Sequence, residues 1–124
     1  MPGDSVEYVT ERVRKIVDDP RVTVTPIGVP REASMVSSVE SPGWKILTRT
    51  IGEQFPGVGV APYLVLGGTD ARHYEPVSDC IYRFSPMRAD EKDLERVHGA
   101  NERLGVENYG EMIRFYRQLI KNSD

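Results

Sequence analysis

Cysteine occurs once in these 124 residues, at Cys80, so no intrachain disulfide can form and the fold must close without covalent help. An oxidising compartment is therefore not required, and a cytoplasmic home is weakly favoured. Histidine is nearly as scarce, with only His73 and His98. A catalytic zinc usually takes about three protein ligands, and neither histidine sits in an HExxH, a paired HxxxH or beside a CxxC. A structural zinc built from His73, Cys80, His98 and a carboxylate therefore has no spacing to support it. Charge of one sign is also lacking. The 16 basic and 19 acidic residues give a net charge of -3 and no basic cluster, which removes the electrostatic footprint of a nucleic-acid binder. No apolar run approaches the ~18 residues of a membrane span. The opening MPGDSVEYVT has neither the basic flank nor the apolar centre of a signal peptide. GxGxxG, a phosphate loop ending in GK[ST], and the GxSxG of a serine hydrolase are absent as well.

What is present fits one domain with one hydrophobic core. Asp4 and Ser5 are good helix caps, and Val6, Val9, Val13, Ile16 and Val17 recur at helical spacing until Pro20. This predicts a helix over residues 5–18. Alternating Val22, Thr23, Val24 and Thr25 suit a half-buried strand ended by Pro26, and residues 28–42 collect Pro, Ser and Gly as a connector. From Pro42, Trp44, Leu47, Ile51 and Phe55 line one face of a second helix. Residues 60–66, VAPYLVL, are continuously apolar and closed by glycines, the pattern of a strand buried on both faces, although a core helix segment shares it. Residues 80–86 alternate Ile81 and Arg83 against Tyr82 and Phe84 as a further strand. DEKDLERVH reads as a short helical turn. A final helix over residues 106–122 carries Tyr109, Met112, Ile113, Tyr116, Leu119 and Ile120 on one face. The order predicts an α/β layered domain.

In such sheets ligands bind just past the carboxyl ends of strands, and LVLGGTDARHY lies at such a place. Gly67 and Gly68 either supply a turn of positive φ or let a ligand approach the backbone. Arg72 either clamps a carboxylate through its planar fork or pairs with Asp70 or another acid. His98 and Glu102 are four residues apart in RVHGANERLGV, but Gly99 makes a continuous helix through them doubtful. Cys80 reads as a small buried hydrophobe rather than a nucleophile.

Together these stretches are more specific. VAPYLVLGGTDARHY, then IYRFSPM, then RVHGANERLGVENYGEMIRFYRQLI resembles the C-terminal portion of the zinc-dependent carboxypeptidase S and aminoacylase family of peptidases. PGDSVEYVTERVRKIVDDPRVTV looks like the last helix and strand of that family's smaller lid domain. The resemblance implies a lid (dimerisation) segment at residues 1–33, and at residues 34–124 the C-terminal part of a three-layer α/β catalytic domain. Two zinc ions per complete site would activate a water toward the amide bond of a peptide or N-acyl amino acid with a free carboxylate.

Residue by residue, His98 matches the family's final zinc ligand in HGxNE, with Asn101 and Glu102 as positioning groups around it. Arg72 matches the residue that holds the substrate carboxylate. Gly67, Gly68 and Thr69 would line that pocket, and Asp70 would brace the loop. His73 has no ligand role in the pattern. The family's other ligands and general base have no counterpart in these 124 residues, so the chain alone is expected to be silent. The alternative is a truncated, non-catalytic binding or assembly module, pairing with a second copy or a complementing first half.

Overall fold

Ser5, in extended conformation, accepts a hydrogen bond from the Tyr8 amide at 3.0 Å and starts the first helix, α1, at Val6–Val17. Asp18 stops it in the left-handed region (φ 44°), its N–H donating to Arg14 O. The computed structural model describes residues 2–124. Glu32 accepts from the Val6 amide at 3.1 Å and Arg14 donates to Val24 O at 3.2 Å, so α1 is tied to the chain that follows it. None of its residues is buried.

Ser41 caps α2 (Pro42–Gln54) through the Trp44 amide, with proline in the first turn where its missing N–H costs nothing. A 3-10 turn, α3 (Glu91–Leu94) and α4 (Val106–Ser123) follow. The 3-10 turn spans Asp70–His73, and Asp90 and Asp93 close α3 with a reciprocal capping box.

The core forms where α2 meets α4. Leu47, Ile51 and Phe115 are buried, with Phe55, Tyr82 and Leu119 packed against them. Phe115 is fully enclosed, its ring centroid 5.2 Å from Phe84, 6.1 Å from Phe55 and 5.6 Å from Tyr116. Thr50 is fully buried as well and stays satisfied, donating to Ile46 O at 2.8 Å and accepting from Asn122 at 2.9 Å.

Two expectations change. No strand occurs among the described residues, so residues 22–25, 60–66 and 80–86 are irregular. Their β-branched and aromatic residues suit a pleated surface, but a strand exists only when a neighbour completes its ladder. At Ile81 a side chain stands in for that neighbour, because Ser37 Oγ accepts from Ile81 N at 2.8 Å and donates to Ile81 O at 2.9 Å.

The face of α4 also differs. Of the expected stripe, Tyr109, Ile113, Tyr116 and Ile120 are 40–66% exposed, whereas Met112 is half-buried and Leu119 packs against the core. Helical spacing finds the edge of the buried face, which is rotated past Phe115 to Asn108. Its Oδ1 accepts from Arg88 N at 2.9 Å, and its Nδ2 donates to Pro86 O at 3.0 Å and to Glu111 at 3.2 Å.

Candidate functional site

Thr69 builds the loop that carries Arg72. Its backbone is extended and its Oγ1 accepts the Ala71 amide at 3.3 Å, which starts the 3-10 turn; Tyr74 N donates to Ala71 O at 3.0 Å and closes it. Arg72 therefore projects from a short, capped turn. Its Nε donates to His73 Nε2 at 3.3 Å, and it enters no ion pair among the described residues. Of the two sequence alternatives, pairing with Asp70 is not the one adopted. The Asp70 carboxylate is exposed and no hydrogen bond to it occurs among the described residues, so the cap on this loop is Thr69.

Gly67 and Gly68 do not occupy the left-handed region, so a positive-φ turn does not explain the glycine pair. A Cβ on Gly67 would meet nothing within 4 Å, and one on Gly68 would meet the Arg72 guanidinium at 3.8 Å. Both glycines, Thr69 and Arg72 border a broad, open recess that also reaches α1, α2, Leu64 and Phe84, too wide to be a single small-molecule pocket.

His98 and Asn101 lie outside that recess. Both are non-glycine residues in the left-handed region (φ 60° and 63°), so the HGANE stretch is a tight turn rather than a helix. The Glu102 carboxylate accepts from the His98 backbone N–H at 3.2 Å, so it fixes the turn and leaves the exposed imidazole to other partners. No three His, Cys, Asp or Glu residues among those described converge to hold a metal. These residues by themselves do not fit a zinc site. The structure thus brings the Arg72 half of the expected site together and keeps the His98 half apart. Cys80 is half-buried and free.

Sequence reasoning missed Arg83 and Ser34. Arg83 Nε donates to Thr69 Oγ1 at 3.0 Å and its Nη2 to Ser34 Oγ at 3.4 Å. An arginine inside an otherwise apolar IYRF run was the available signal. Next to it, Tyr82 contacts Ser41 Oγ, and desolvation raises its phenol pKa against the lowering effect of that contact.

The chain belongs to Peptidase family M20/M25/M40, whose sequence profile matches residues 3–122. It is 40% identical over its whole length to "Probable carboxypeptidase S-like 2" of Dictyostelium discoideum, and covers 24% of that protein. It is 37% identical over 99% of its length to the "N-fatty-acyl-amino acid synthase/hydrolase PM20D1" of Xenopus tropicalis (24% of that protein), and 34% identical to the human protein of that name over 99% (25% of that protein). The chain thus spans about a quarter of the length of these relatives, and the resemblance read from its motifs is borne out. No solved structure matches it. No helix among the described residues is long and apolar enough to cross a membrane.

Proposed function

We propose that these residues form the C-terminal part of a zinc-dependent amidohydrolase. It would cleave the amide bond of a peptide or N-acyl amino acid whose free carboxylate is gripped by Arg72. Residues 1–33 end a lid (dimerisation) domain, and residues 34–124 complete an α/β catalytic domain whose strands gain their ladder partners from the rest of the protein. His98 supplies one ligand to zinc, with Asn101 and Glu102 shaping its turn, and the remaining ligands come from outside this chain. Zinc, when bound, supplies a water made nucleophilic at neutral pH.

The observation that carries this reading is Arg72 itself. Its guanidinium has no carboxylate partner among the described residues, projects from a capped turn, and borders the same recess as two glycines that leave backbone accessible. The exposed apolar residues that precede the loop, Leu64 and Leu66, suit an acyl group.

In the complete protein, Arg72→Met removes a charge-assisted bond to the carboxylate and raises KM for the acid by about 10-fold to 100-fold. An unchanged KM would overturn the assignment. The 124-residue chain alone should release no amino acid from N-acyl substrates and should hold well under one zinc per chain by elemental analysis. Stoichiometric zinc that is lost in His98→Ala would show a site completed by this chain alone.

A second reading is favoured by the uncovered apolar faces of α1 and α4, where Ile16 is 73% and Ile120 66% exposed: an assembly module that pairs with a second copy or a complementing half. A strictly monomeric chain in sedimentation at high concentration, with no gain on mixing with the preceding segment of the protein, would count against it.

A further inference from the structure

A threonine hydroxyl can donate one hydrogen bond and accept two. Both acceptor positions of Thr69 Oγ1 are taken, one by the Ala71 amide at 3.3 Å and the other by Arg83 Nε at 3.0 Å. Its hydrogen can then only point away from these two donors, and no acceptor for it occurs among the described residues. Thr69 borders the same recess as Arg72.

Arg83 is half-buried, enters no ion pair among the described residues, and spends its hydrogen bonds on Thr69 and Ser34. Glu75 and Asp79 share a small hollow with it, yet neither pairs with it. A cationic N–H on a hydroxyl oxygen polarises the O–H and strengthens it as a donor.

We infer that Arg83 is a positioning residue that turns the Thr69 hydroxyl into an obligate donor, so that Thr69 and Arg72 together recognise a ligand carboxylate. This rests on the reading of Arg72 as the carboxylate grip. Arg72 brings the charge, and Thr69 brings a directed neutral donor set by Arg83 from a distant part of the sequence. An amide in place of the carboxylate would lose charge at both donors.

The test uses the complete protein and two probes, N-acetyl-leucine and N-acetyl-leucinamide, with affinities read as constants for competition against a second N-acyl amino acid substrate. The wild type should prefer the acid. Arg83→Met and Thr69→Val should each cut the acid-to-amide ratio about tenfold, and the double variant should be no worse than either alone, because one device has been removed. Thr69→Ser, which keeps the hydroxyl, should retain the ratio.

A purely structural role would weaken acid and amide alike and leave the ratio fixed, and that result overturns the inference. Loss of the preference in Arg72→Met with full retention in Arg83→Met or Thr69→Val overturns it alone. Retention of the preference in Arg72→Met, or no preference in the wild type, overturns the Arg72 reading and this inference with it.

Discussion

Asn108→Asp should destabilise the chain by an amount that grows with pH. Asn108 is 7% exposed and uses both ends of its amide. Its oxygen accepts from Arg88 N at 2.9 Å, and its nitrogen donates to Pro86 O at 3.0 Å and Glu111 at 3.2 Å. The substitution keeps the first bond and replaces both donors with an ionised oxygen that faces a carbonyl and a carboxylate. Each lost bond costs about 1 kcal/mol, and leaving the Pro86 carbonyl facing like charge raises the total to about 3 kcal/mol near neutral pH. Arg88, which grips Glu111 at 2.7 Å, offsets part of the repulsion.

The introduced carboxyl is favoured in its protonated form in the fold, since only then can it donate to Pro86 O. Its folded pKa therefore lies above the unfolded value of about 3.9. A raised pKa contributes stability that is present below the unfolded value and lost as pH rises through the folded one. Urea unfolding followed by helical circular dichroism, with wild type and variant compared at each pH, should show the difference shrinking to about 1 kcal/mol near pH 4. A difference under about 1 kcal/mol at neutral pH, or one equal at both, would refute the argument that Asn108 is held through both ends of its amide.

Phe115→Ala removes the one fully enclosed ring and should cost about 3–5 kcal/mol in the same assay, whereas Ile120→Ala on the exposed stripe should stay within about 0.5 kcal/mol; the reverse order would restore the helix face predicted from spacing. Glu111 and Glu53 have pKa values below the ordinary 4.5, the first chiefly through its hydrogen bond with Arg88 and the second chiefly through Asn122 and then Arg49. A lowered pKa contributes stability that is present above the unfolded value and lost as pH falls through the folded one. The melting temperature should therefore fall below the ordinary carboxylate range, and Glu111→Gln should flatten that fall; an unchanged slope would remove the Arg88–Glu111 pair from the account.

Local chemistry was legible in the chain. Ser5 before Val6 and Pro42 in a first turn announced two helix starts, and DEKDLERVH marked the short turn of α3, because such signals lie within one turn of the helix they start; the Ser41 cap and the Asp90–Asp93 capping box came only with the structure. The stripe from Trp44 through Leu47 and Ile51 to Phe55 turned inward as its spacing predicts, with Leu47 and Ile51 buried. The LVLGGTDARHY stretch marked the loop, and the three motifs marked the family.

Partnership was not legible, since a residue's neighbour in space carries no signature in the residue. VAPYLVL reads as a strand by itself, but a strand is a relation between segments, and no second segment completes it among the described residues. The buried face of α4 meets partners from elsewhere in the chain, Phe55 and Phe84 on Phe115 and Pro86 and Arg88 on Asn108, and Thr69 acquired its second hydrogen bond from Arg83, fourteen positions away. The sequence by itself determined where helices begin and which family the chain joins. Tertiary structure alone decided which faces are covered and which groups donate to Thr69 Oγ1, because burial and hydrogen-bond saturation depend on every group that arrives at a point in space.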